Sequence, residues 1–125
     1  MRLHSRTVRA VNTTRGTELG ASVRVADTGL SRIVGLLGER RLPRGEGLLI
    51  VPSQGVHTLG MLFPIDVLVL DDDWNVLAVR KNMRSFRMTK VFWKAAAVLE
   101  LPSGMADATA TSVGDTLSFD REGVN

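Results

Sequence analysis

From its N-terminus the chain alternates apolar with polar or small residues over Thr7-Val-Arg-Ala-Val-Asn12 and again over Ala21-Ser-Val-Arg-Val-Ala26, with Thr13-Thr-Arg-Gly-Thr17 between them. A period of two on both sides of turn-forming residues predicts an opening antiparallel pair. The period then changes: Leu30, Ile33, Val34 and Leu37 recur at helical spacing behind Asp27-Thr28, either of which can cap a helix, and Gly38 ends the run. A helix is expected over about residues 29–37, with those four side chains inward.

Residues 40–47, punctuated by Pro43, Gly45 and Gly47, read as a surface loop into a strand Leu48-Leu-Ile-Val51 that Pro52 ends. A loop or irregular strand from Gln54 to Phe63 leads to Ile65-Asp-Val-Leu-Val-Leu70, and Asp71-Asp-Asp-Trp-Asn75 turns the chain back into Val76-Leu-Ala-Val79 as a hairpin. After a basic connection come a strand over residues 95–101, a loop at Pro102-Ser-Gly104, a weak helical turn near 105–112 and a last strand Thr116-Leu-Ser-Phe119. About seven short strands and one good helix predict an α+β, mostly β fold: a curled sheet or partly open small β-barrel with the helix packed against it. No repeat, low-complexity tract or linker interrupts the pattern, so residues 1–125 are expected to form a single domain.

Composition narrows the chemistry more than the fold. The chain has no cysteine, which excludes disulfides, zinc-thiolate sites, iron–sulfur clusters and thiol catalysis within it. The basic start lacks an apolar run long enough for a signal-peptide core, and no later stretch is long and apolar enough for a membrane-spanning helix; a cytoplasmic location is expected. The net charge of +3 is modest, and the pI of about 10.2 reflects thirteen arginines and the absence of tyrosine and cysteine.

Two acids stand out. Asp66 and Glu100 each sit in a strand that is otherwise nearly all apolar, where an unpaired ionised carboxylate costs several kcal/mol or more. Donors within the sequence include His57, Thr58, Arg44, Arg80 and Arg84. Either the acids tie down loops by accepting backbone N–H or arginine hydrogen bonds, or they line a ligand or catalytic pocket. His57 is the one histidine well inside the chain, His4 lying near the terminus, and convergence of Asp66, Glu100 and His57 into one polar cluster is expected. A Ser53–His57–acid triad lacks the Gly-x-Ser-x-Gly context. Two distant histidines without cysteine are a poor zinc set, so no metal or cofactor is expected. Asp71, Asp73 and Asn75 match the first ligand positions of a calcium loop, but Val76 stands where its glycine belongs and Asn82 where its glutamate belongs; a solvated turn is the simpler reading.

Residues 80–94 hold six positive charges, Arg80, Lys81, Arg84, Arg87, Lys90 and Lys94, with no acid and with Phe86, Phe92 and Trp93 interleaved. This is the region suited to an anionic ligand: the cations would meet phosphates and the rings would stack on bases. A solvated basic loop anchored by its aromatics is the plainer alternative. No nucleic-acid fold signature accompanies the charge, and no glycine motif cradles phosphate.

The run Gly55-Val-His-Thr-Leu-Gly-Met-Leu-Phe-Pro-Ile-Asp-Val-Leu-Val-Leu-Asp71 resembles the signature of domain-of-unknown-function family 192, widespread in bacteria. Gly29-Leu30 with Gly35-Leu-Leu37 resembles that family's early helix, and Gly47-Leu-Leu-Ile50 the strand before its signature. Val98-Leu-Glu-Leu-Pro-Ser-Gly104 and Gly114-Asp-Thr-Leu117 resemble its two closing motifs. Where many members have an aromatic-Trp-Met-Lys-Asn-Thr run this chain has Val56-His-Thr-Leu-Gly-Met61, marking a distinct subgroup in which Leu59 and Gly60 replace polar family residues. The resemblance implies a compact β-rich fold and a shared polar cluster at His57, Asp66, Glu100 and Asp115, and Thr58, next to His57, is a further candidate for that pocket. It implies no activity. A binding or assembly module for a protein partner or anionic ligand is the first expectation, and a small enzyme using His57 with Asp66 or Glu100 for acid–base work the second.

Overall fold

In a computed structural model of the protein, residues 6–26, 42–52, 63–84 and 93–121 are described. They form seven strands: β1 (Arg6–Asn12), β2 (Thr17–Ala26), β3 (Glu46–Ile50), β4 (Ile65–Leu70), β5 (Val76–Met83), β6 (Ala97–Pro102) and β7 (Leu117–Arg121). One short helix, α1 (Met105–Ala108), lies between β6 and β7. The expected helix over 29–37 falls outside the described residues. The expected turn near 105–112 is helical over α1 alone, while β2 and β5 run four residues beyond their expected limits, β2 starting at Thr17 and β5 ending at Met83.

The strands build one sheet in the order β5-β4-β6-β3-β2-β1-β7. Every neighbouring pair is antiparallel except β2 and β3, which run parallel. The β1–β2 hairpin forms because Val8, Ala10 and Asn12 alternate inward and Gly16, at φ 70, closes the turn by donating its N–H to the Asn12 carbonyl at 2.8 Å. Central strands β4 and β6 are buried along their whole length, as expected of strands covered on both faces.

The sheet curls until its first and last strands meet at one end. Asn75 bridges Thr116; Val76 donates its N–H to the Asp115 carbonyl at 2.8 Å, and Leu117 donates to the Trp74 carbonyl at 2.9 Å. The result is a partly open barrel joined by this hydrogen-bonded seam. Trp74 reaches this seam at φ 64, a left-handed conformation costly for a bulky residue, and its ring meets Phe119 edge-on at 4.8 Å.

Strand alternation sorts the core into two faces. Inside the curl, Leu19, Val23, Val25, Leu49, Leu68, Leu70, Leu99, Leu101, Met105 and Leu117 pack into the main core. On the outer face Ala26, Leu48, Ile50, Ile65, Val67 and Val98 are buried together, with Phe63 and Met83 against them. Close strand approach needs Gly47: a Cβ there would lie 2.9 Å from the Glu100 carbonyl oxygen and 3.1 Å from a Leu101 methyl.

Candidate functional site

The buried acids fall into two environments, and the sheet register divides them. Asp66 lies opposite Leu101, an interior residue, whereas Glu100 lies opposite Val67 and Leu48, both on the outer face. Directly opposed residues share a face, so Asp66 points into the barrel and Glu100 out of it. The expected convergence of the two acids is therefore corrected: adjacent buried strands can each carry an acid without the acids meeting. His57 and Thr58, the other proposed members, lie outside the described residues.

Asp66 is fully engaged by backbone. On β5 the register skips between Arg80 and Met83 opposite Val67 and Ile65, so Asp66 faces a bulge, where Asn82 at φ 54 turns its N–H to Asp66 Oδ1 at 2.9 Å. The other oxygen, Oδ2, accepts from the N–H groups of Gly104 at 3.1 Å and Ala106 at 2.8 Å. Gly104 has no side chain with which to cap α1, and the carboxylate of a distant strand performs that task. None of the arginines considered as donors is used.

Asp115 ends the same polar chain. It accepts from Asn12 Nδ2 at 3.0 Å, Arg15 Nε at 3.0 Å and the Ser112 N–H at 2.9 Å. Burial acts to raise its pKa, but the Arg15, Asn12 and Ser112 hydrogen bonds outweigh burial and hold it below the usual carboxylate range. Asn12 also donates to Thr111, whose hydroxyl meets that of Thr109, and Thr109 in turn donates to the Met105 carbonyl at 2.7 Å. Asp66 and Asp115 thus anchor the two ends of segment 103–116, which spans the barrel mouth from β6 to β7. Asn12 was the missed member. Its signal was one polar residue at an inward position after Val8 and Ala10.

Glu100 differs from both. It is 2 % exposed, and burial pushes its pKa up to about 8, so that it is mostly a neutral acid at pH 7. A neutral carboxyl has one O–H donor and acceptor capacity to offer.

The candidate cations are dispersed. Lys81 forms an ion pair of 2.6 Å with Asp107 on α1, and its pKa is raised by that hydrogen bond. Arg80 lies on the outer face opposite Val67, with one guanidinium N–H donated to the Val79 carbonyl at 3.3 Å. Arg84 follows the end of β5. Lys94 lies before β6, near the opposite end of the sheet, its ammonium 5.4 Å from the centre of the Trp93 ring. Trp93 is 80 % exposed. Arg87 and Lys90 fall outside the described residues. At the hairpin, Asp71 Oδ1 accepts from the Asp73 and Asn75 N–H groups at 2.9 and 2.8 Å, a turn stabilised by its own side chain.

The model of the family DUF192, described as Uncharacterized ACR, matches residues 10–119. The chain belongs to the DUF192 family. It is 32% identical over 118 residues to a UPF0127 protein of Pyrococcus furiosus, with 89% of this chain and 97% of that one covered. It is 26% identical over 114 residues to a UPF0127 protein of Pyrococcus horikoshii, covering 87% and 96%. Among solved structures, a Sinorhizobium meliloti protein provisionally described as a transcription regulator superposes with a TM-score of 0.78 at 22% identity, over 95% of this chain and 96% of the other. A Novosphingobium aromaticivorans protein of unknown function superposes at 0.74 with 19% identity, over 93% and 86%. At these identities the superpositions establish the curled DUF192 sheet and nothing about ligands. Among the described residues of this DUF192 chain, no helix is long and apolar enough to cross a membrane.

Proposed function

We propose that this protein is a binding module, folded as one domain, whose recognition site is centred on Glu100 on the outer face of β3, β6 and β4. The observation that carries the reading is a carboxyl buried in an otherwise apolar strand and held neutral by burial. Burying a carboxyl in an apolar strand is costly, and one that persists calls for a role. Asp66 is excluded from this role because both its oxygens are committed to backbone. His57 and Thr58, carried between β3 and β4, are proposed to complete the site.

A second reading is a small acid–base enzyme using His57 with Glu100. An acid that releases its proton near pH 8 has the strength a general acid needs close to neutrality. Both readings share one test. A metabolite library is screened by thermal shift against the wild type, then against Glu100→Gln and Glu100→Leu. A binding site at Glu100 predicts hits that survive in the glutamine variant and vanish in the leucine variant; hits indifferent to both place the site elsewhere. Turnover of a hit compound by the wild type selects the enzyme reading.

A further inference from the structure

β7 ends the sheet, and among the described residues only its first residue, Leu117, is hydrogen-bonded on the side away from β1. Thr13 of the β1 end donates its N–H to the Thr116 carbonyl, whereas Leu117 donates to the Trp74 carbonyl on the other side. Backbone groups of successive residues alternate in direction along an antiparallel strand. Phe119 and Arg121 therefore point their N–H and C=O groups away from β1, to a side where no strand lies among the described residues. The side chains beside these groups differ by face. Phe119, opposite inward-facing Ala10, lies inside the curl, half-buried against Trp74. Asp120, opposite Arg9, lies outside and is exposed. Arg9 is drawn away from it to Glu18 on β2, at 2.6 Å, and Asp120 forms no ion pair among the described residues.

We propose that the open edge of β7 receives an extended segment of a partner protein as an added strand, bonded to the backbone of Phe119 and Arg121. Directly opposed residues share a face, so the segment presents an apolar residue opposite Phe119, against the Trp74 ring, and a lysine or arginine opposite Asp120. A second copy of the chain does not meet these terms. Antiparallel pairing of two β7 strands with Phe119 opposite Arg121 sets Asp120 against Asp120, and like charges directly opposed are destabilising. Pairing Phe119 with Phe119 lays the copy's strand across Leu117, whose N–H is already given to Trp74. This edge is separate from Glu100 on β6, with β3, β2 and β1 between them.

The full-length protein is titrated by fluorescence anisotropy with a labelled hexapeptide of alternating valine and lysine, and separately with its valine–glutamate counterpart. Amide exchange at Phe119 and Arg121 is followed by NMR in the same mixtures. The valine–lysine peptide is expected to bind more tightly and to slow exchange at both amides. Asp120→Lys, a change at an exposed position, should reverse the preference, weakening the lysine peptide and strengthening the glutamate peptide by about fivefold each. Urea midpoints establish that the variant is folded. The absence of binding, binding that leaves both amides unprotected, or an unchanged charge preference in Asp120→Lys would overturn the proposal. So would protection of the two amides that rises with protein concentration alone, which assigns the edge to a second copy.

Discussion

At the scale of single residues, two carboxyl groups that look alike in sequence do opposite work. Asp66 gathers three backbone N–H groups from β5, the turn before α1 and α1 itself. An amide in its place accepts on one side only and presents its own N–H groups to donors on the other. Asp66→Asn should therefore cost about 2–4 kcal/mol in urea unfolding. Glu100 shows the reverse behaviour, and its sign is fixed by linkage. Its pKa rises from 4.5 to about 8 on folding, so between those values the folded state holds more protons than the unfolded chain. The stability contributed is full below about pH 4.5 and is lost as pH rises through about 8. Wild-type unfolding free energy should fall by several kcal/mol across that window at most, and Glu100→Gln should flatten this slope. Asp115 acts on the acid side: its lowered pKa stabilises above the ordinary value of 3.8, and that contribution is lost as pH drops below it. Both anomalous acids were legible in the sequence as carboxyls in apolar strands. Their separation was not, because it depends on which β6 residue faces which β4 residue, a pairing between segments about thirty residues apart in sequence.

At the scale of elements, the alternating and apolar runs identified all seven strands, since each buries at least one face. Ends were less legible. β5 continues through the charged Arg80-Lys81-Asn82 stretch because Asp66 supplies an acceptor for the bulge, a tertiary contact that no local pattern announces. Strand order was likewise hidden: β2 and β3 pair in parallel, and β6 inserts between β3 and β4, although it is remote from both in sequence. The close approach of β3 to β6 offers its own test. In Gly47→Ala the new methyl would meet the Glu100 carbonyl oxygen, which is held in the ladder and cannot swing aside as a side chain could. A loss of about 1–3 kcal/mol is expected from differential scanning calorimetry, without loss of the fold.

At the scale of the whole molecule, one seam and one polar chain hold the curl in shape. The seam brings β5 to β7 through Trp74, Asn75 and Thr116, and the chain from Asp66 to Asp115 fixes segment 103–116 across the barrel mouth. Asn12→Ala would leave Thr111 and Asp115 without a shared donor in a buried site. It should cost about 1–3 kcal/mol and raise amide exchange at both Thr111 and Thr116, residues that a local effect on β1 would not reach. The cations of residues 80–94 test a different surface. If they act together on polyanions, heparin affinity should fall steeply between low and moderate salt; no binding at either salt level would leave them as solvated charge.

The protonation of Glu100 underlies both the proposed site and the pH dependence of stability, and it can be observed directly. With the glutamate side-chain carboxyl carbons labelled with carbon-13, the Glu100 resonance is followed by NMR from pH 4 to pH 10, assigned by its absence in Glu100→Gln. A titration midpoint near 8 is predicted from its burial; a midpoint near the ordinary 4.5 would mean that Glu100 is ionised at neutral pH, and the neutral donor on which the proposed site depends would not exist.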